Sequence, residues 1–116
     1  MCKVITKKES RLFVKKAKEI INLVDHEKVE TYQGNNRYYI NTNYGKLEIN
    51  IPEEQQYIYT IFQRFEDVNK AKEVFNCNPY TGKNNIHNTR LEDALWELYD
   101  GLCECLGVED IGEFNI

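Results

Sequence analysis

Arg37-Tyr38-Tyr39-Ile40-Asn41-Thr42-Asn43-Tyr44-Gly45-Lys46-Leu47-Glu48-Ile49-Asn50-Ile51 is the stretch that decides the fold. In its second half Leu47, Ile49 and Ile51 alternate with Lys46, Glu48 and Asn50. A period of two buries one face of a strand and leaves the other to water. Asn43-Tyr44-Gly45 supplies turn residues, so 37–42 and 46–51 read as neighbouring antiparallel strands. Outward from this centre, Lys28 to Gln33 and Tyr57 to Phe65 have the same Tyr, Ile, Val, Thr and Phe character, set off by Gly34-Asn35-Asn36 and by Pro52-Glu53-Glu54. Three or four antiparallel strands are expected. Tyr57-Ile58-Tyr59-Thr60-Ile61-Phe62 is apolar on both faces, which predicts a central strand or one whose outer face is covered.

Helical patterns flank the strands. Thr6 and Glu9 have capping-box spacing, in which the Thr hydroxyl accepts from a first-turn amide and the Glu carboxylate reaches back to the Thr amide. Phe13, Ala17, Ile20, Ile21 and Val24 then recur as the apolar stripe of an amphipathic helix ending near Asp25. Asp67 can cap a short helix in which Val68, Ala71, Val74 and Phe75 share a side, ending around Asn76. Thr89 and Glu92 repeat the capping-box spacing before Leu91, Leu95, Leu98, Leu102 and Leu106, a leucine stripe that Gly107 stops. Gly101 inside that helix costs about 1 kcal/mol relative to Ala and suggests a bend or a close backbone contact.

The expected fold is therefore α+β in two layers over a single domain, residues 1–116. An N-terminal helix leads into a three- to four-stranded antiparallel sheet, followed by two C-terminal helices. A chain of 116 residues can bury one core without disulfides or metal. No apolar run has the length of a signal peptide or a membrane span, which predicts a cytoplasmic protein without a membrane role. In that compartment Cys2, Cys77, Cys103 and Cys105 are expected as reduced thiols. Eight tyrosines suit half-buried sheet faces and also contact surfaces.

Charge is unevenly spread. From Leu91 onward the chain has Glu92, Asp93, Glu97, Asp100, Glu104, Glu109, Asp110 and Glu113 without a single Lys or Arg. The first eighteen residues set Lys3, Lys7, Lys8, Arg11, Lys15, Lys16 and Lys18 against Glu9 alone. Asp93, Glu97, Asp100 and Glu104 line one side of the last helix, and each like-charged i, i+4 pair there costs a few tenths of a kcal/mol. Such a row is a solvated face, a match for the basic first helix, or a docking surface for a basic partner. Lys8, Arg11, Lys15 and Lys18 in turn share a side of the first helix. They are a solvated lysine face or, with Lys83, a nucleic-acid or nucleotide-phosphate surface.

The segment Asn76 to Asn88 reads as a long loop, and loops of this length are often functional. Tyr80, Lys83 and His87 offer a ring, a cation and an imidazole for a partner, although Asn, Pro and Gly also form ordinary turns. Gly82-Lys83 is not a phosphate loop, because Asn84 stands where Ser or Thr is needed. Cys103 and Cys105 point about 200° apart on a helix, so they do not grip one metal ion. Cys77 or the C-terminal carboxylates with His87 make a weak catalytic signal, so neither enzyme activity nor a cofactor is expected.

The order of elements resembles that of some small phage-encoded anti-CRISPR proteins: a short acidic chain, an N-terminal helix, an antiparallel sheet and helices at the end. The resemblance spans the chain as an order of elements and carries over no site residue. The basic first helix departs from uniformly acidic members. It implies a non-enzymatic inhibitor, from a phage or mobile element, that presents Asp93, Glu97, Asp100 and Glu104 to a host nucleic-acid-binding protein. A monomer or weak homodimer is expected. Against direct nucleic-acid binding stands the pI near 5.2.

Overall fold

The first helix begins where Thr6 and Glu9 place it. In the computed structural model, which describes residues 5–30, 36–51, 60–65, 83–87 and 90–114, helix α1 spans Lys7–Ile21 with the complete capping box at Thr6. The Glu9 amide donates to Thr6 Oγ1 at 3.1 Å, and the Thr6 amide donates to Glu9 Oε1 at 3.3 Å. The helix stops four residues short of Asp25. Leu23 N–H donates to Ile20 and Val24 N–H to Ile21, both at 3.1 Å, so the last turn tightens to i, i+3 bonds. Val24 stays half-buried in line with the stripe, which is why periodicity alone overshoots the end.

Among the described residues five strands follow as an antiparallel meander in the order β1-β2-β3-β4-β5: β1 Glu27–Glu30, β2 Asn36–Thr42, β3 Gly45–Ile51, β4 Thr60–Phe65 and β5 Lys83–His87. The β2–β3 register pairs Thr42 with Gly45 and Asn36 with Ile51, so the deciding stretch is a hairpin. Thr42 Oγ1 braces its turn, donating to the Gly45 carbonyl at 2.6 Å and accepting from Tyr44 N–H at 3.1 Å. Directly paired residues share a sheet face. Tyr38 with Ile49 and Ile40 with Leu47 fall on the buried face, and Tyr39 with Glu48 on the other. β4 lies between β3 and β5, while residues 57–59 of the segment expected to be apolar on both faces lie outside the described residues.

The strand β5 corrects the sequence reading, which takes 76–88 as a loop. Lys83-Asn84-Asn85-Ile86-His87 has little intrinsic strand preference. Antiparallel pairing with β4, from Thr60↔His87 to Arg64↔Lys83, imposes the extended form. The expected short helix from Asp67 to Asn76 lies outside the described residues.

After β5 the chain enters helix α2, Leu91–Leu106, which lies against both α1 and β5. Its cap differs from the Thr89/Glu92 box: Arg90 is the N-cap, in extended conformation, and its side chain makes no capping hydrogen bond. Asp93, at the position a capping Glu would take, stands 3.8 Å from the Arg90 guanidinium. A cation at a helix N-terminus opposes the macrodipole, and an Arg side chain has no oxygen with which to accept from a first-turn amide. Arg90→Ser should therefore stabilise the fold by about 1 kcal/mol, read as a higher urea midpoint at unchanged slope.

The far end of α2 closes on Gly107, at φ 68°. Val108 N–H donates to Cys103 and Gly107 N–H to Glu104, the two bonds of a Schellman motif. A third carbonyl is satisfied from the sheet: Asn43 N–H, in the β2–β3 turn, donates to Cys105 at 3.1 Å. A Cβ at Gly107 would come within 2.8 Å of the Asn43 side chain, so glycine serves both the left-handed backbone and this close approach.

One hydrophobic cluster joins the layers. Phe13, Ile20 and Ile21 of α1 meet Ile40, Leu47, Ile49 and Ile51 of the sheet and Leu95, Leu98 and Leu102 of α2. Both helices thus cover the same sheet face. Leu91 and Leu106, the ends of the leucine stripe, are half-buried.

Candidate functional site

With Leu95, Leu98 and Leu102 fixed in the core, helix geometry turns the opposite side of α2 outward. Asp93, Glu97, Asp100 and Glu104 are all exposed, a row of carboxylates roughly 16 Å long. Asp93 near the N-terminus suits the helix dipole, whereas Glu104 near the C-terminus opposes it, and no basic residue occupies the last turn. Among the described residues no ion pair joins Lys8, Arg11, Lys15 or Lys18 to this row. The described pairs are Lys16–Glu19 within α1, Lys28–Glu30 within β1, and Arg90–Asp93.

A ring missing from the sequence reading borders the row. Trp96 follows Asp93 by three residues and precedes Asp100 by four, which places it beside the carboxylates, and it is 43% exposed. It stands edge-on to Tyr99 at 5.3 Å between centroids and 4.8 Å from Phe114, while Tyr99 and Phe114 are 5.0 Å apart. The signal was present in the sequence as a large apolar residue off the leucine stripe. What the sequence did not hold was Phe114 folding back to support it.

The C-terminal tail is held by polar bonds as well. The Tyr99 hydroxyl reaches the Asp110 carboxylate and the Gly112 carbonyl, the latter at 2.8 Å, and Gly112 N–H donates to Asp110 Oδ1 at 2.8 Å. The bond to Asp110, then burial, raises the Tyr99 phenol above its ordinary value. The same bond and the Gly112 amide hold the Asp110 carboxyl below its own. Asp110 is therefore anionic at neutral pH.

Other candidate residues are dispersed. Lys8, Arg11 and Lys15 are exposed on α1 and Lys18 is half-buried. Lys83 and His87 are the first and last residues of β5, an edge strand beside α2, and not members of a loop. Tyr80 lies outside the described residues. Cys103 and Cys105 are buried free thiols, and among the described residues no group of three or more His, Cys, Asp or Glu could hold a metal. No described helix is long and apolar enough to cross a membrane.

On the sheet face away from the helices, Glu48 accepts from the Tyr39 hydroxyl at 3.1 Å and from the Asn50 amide at 2.9 Å, and Lys46 Nζ sits 5.0 Å from the Tyr39 ring centroid. These bonds satisfy one another. Comparison with protein-family models, curated proteins and solved structures gives no match.

Proposed function

We propose that this protein is a non-enzymatic binding module whose last helix presents Asp93, Glu97, Asp100 and Glu104 to a basic groove on a nucleic-acid-binding protein. It would act as an inhibitor of the kind that phages and mobile elements encode. The observation that carries this reading is the exposed carboxylate row on a helix whose other side is locked in the core. Like charges at this spacing weaken their own helix, and Glu104 opposes its dipole. A basic groove offsets both costs, because grooves that hold phosphates attract anions through their long-range field. Trp96 gives the row an aromatic anchor of the type that dominates interface energies.

The test is a comparison of the wild-type chain with a variant in which all four carboxylates are changed to Lys. Both are immobilised and exposed to nuclease-treated host lysate. The wild type should retain a basic nucleic-acid-binding protein that the reversed variant loses, with helicity unchanged. Raising salt should slow association more than it speeds dissociation. Equal retention by both chains would reject the stripe as the contact surface.

Exposure of Lys8, Arg11 and Lys15 favours a second reading, a small nucleic-acid- or nucleotide-phosphate-binding module using these residues with Lys18 and Lys83. It predicts salt-sensitive association with short duplexes, abolished by Lys15→Glu with Lys18→Glu.

A further inference from the structure

Beyond the end of α2 lies a cleft of about 430 Å³, within the range of ligand-holding pockets. Three separate segments wall it. Leu23 and Asp25 come from the turn after α1, Ile40 and Asn41 from β2, and Val108 and Asp110 from the tail after Gly107. Among the described residues the lining thus combines apolar side chains with two carboxylates and an amide, without Lys or Arg.

We infer that this cleft receives one arginine side chain of a protein partner, its aliphatic stem on Leu23, Ile40 and Val108 and its guanidinium between Asp25 and Asp110. The inference rests on the reading of α2 as a surface for a basic partner and names one anchor of that partner. Arginine joins an apolar stem to a weakly hydrated, planar cation that carboxylates bind in a forked geometry. The lining offers both kinds of contact. Val108 is 44% exposed at the rim, ready to lose water against a stem. Asp25 is exposed. The described bonds of the Asp110 carboxylate use Oδ1 alone, which leaves Oδ2 as an acceptor.

The walls are also held in place before any ligand arrives. Asn43 N–H on the Cys105 carbonyl ties the β2–β3 turn to the end of α2. Tyr99 and Gly112 fix Asp110. Gly112, at φ 138°, passes so close to Leu23 that a Cβ there would lie 3.0 Å from Leu23 Cδ2. A preformed site spends less of its binding energy on ordering. Charge supports the same kind of partner as the stripe, since exposed Glu109 beside Asp110 adds a further carboxylate next to the cleft.

The probe is n-butylguanidinium, which reproduces the arginine side chain, set against its neutral isostere n-butylurea. Methyl NMR of the full chain reads both at millimolar concentration. Saturable shifts of Leu23, Ile40 and Val108 methyls are expected with the guanidinium, with affinity at least about threefold weaker for the urea and for Asp25→Asn. Asp25 is exposed, so its variant should fold like the wild type by circular dichroism. Val108→Ser, at the rim, should weaken the guanidinium too. Methyls that do not move, or a urea that binds equally well, would overturn the inference. The stripe-reversed variant separates the two readings. If it loses the partner yet still binds the guanidinium, both stand. Loss of the partner by that variant, with no guanidinium binding in any chain, overturns the cleft and leaves the stripe. A partner retained by it and lost by Asp25→Asn supports the cleft and rejects the stripe.

Discussion

Leu98→Ala lowers the free energy of unfolding by about 2–5 kcal/mol. Leu98 is fully buried at the middle of α2, in the cluster where both helices meet the sheet. Removing its branched end takes away transfer free energy and leaves a cavity in a cluster whose members, such as Phe13 and Ile49, are held by separate elements and relax only in part. Chemical denaturation followed through Trp96, the sole tryptophan, measures the loss. Leu12→Ala is the control: Leu12 lies on α1 with 42% of its surface exposed, and its truncation should cost less than about 1 kcal/mol. A Leu98 variant as mild as this control would mean that α2 docks through another face.

Cys105 should resist alkylation in the native chain by orders of magnitude relative to an exposed thiol. Burial, reinforced by the neighbouring Glu104 carboxylate, pushes its thiol up to about 12. Against an ordinary cysteine at 9.0, the three-unit difference leaves about a thousandfold less thiolate, the reactive species, at neutral pH. Steric exclusion adds to this, since Cys105 is fully buried. Cys103, also buried, shifts the same way from burial first. Peptide mapping after timed exposure to iodoacetamide should therefore find Cys105 labelled only as fast as the chain opens. Denaturant should accelerate labelling in step with the unfolding transition. Because opening limits the rate, raising the pH towards 9 should change native labelling of Cys105 little, although it accelerates labelling of an unfolded thiol. Rapid native labelling of Cys105 would contradict the packing of the α2 core face.

These predictions depend on features of very different visibility. The capping box at Thr6 and Glu9 involves groups three residues apart, so nothing distant can easily override it, and the helix starts where the sequence places it. The hairpin around Asn43 and Tyr44 is equally local. By contrast, the box at Thr89 and Glu92 has the same spacing and is not the cap. Arg90, itself in extended conformation, takes that position. Spacing says that a cap is possible, while the residue at which the backbone turns helical decides which cap forms. The strand at Lys83–His87 was hidden for a related reason. Its asparagines carry turn preference, and the edge of β4 gives them a ladder that outweighs it.

Residue types and their periods by themselves determined the α+β class, the antiparallel pairing around residue 43, the buried face of α2 and the outward row of Asp93, Glu97, Asp100 and Glu104. Each of these is a consequence of side-chain period on a regular backbone, and period is written in the sequence. Tertiary structure alone decided the fifth strand, the tie from Asn43 to Cys105, the return of Phe114 to Trp96, and the cleft between Asp25 and Asp110. Those contacts join residues from 18 to 85 positions apart, as the numbers of Trp96 and Phe114 and of Asp25 and Asp110 show by subtraction. Contacts of that range form when a whole core closes, and no local pattern of charge or hydrophobicity encodes which distant neighbour each residue will meet.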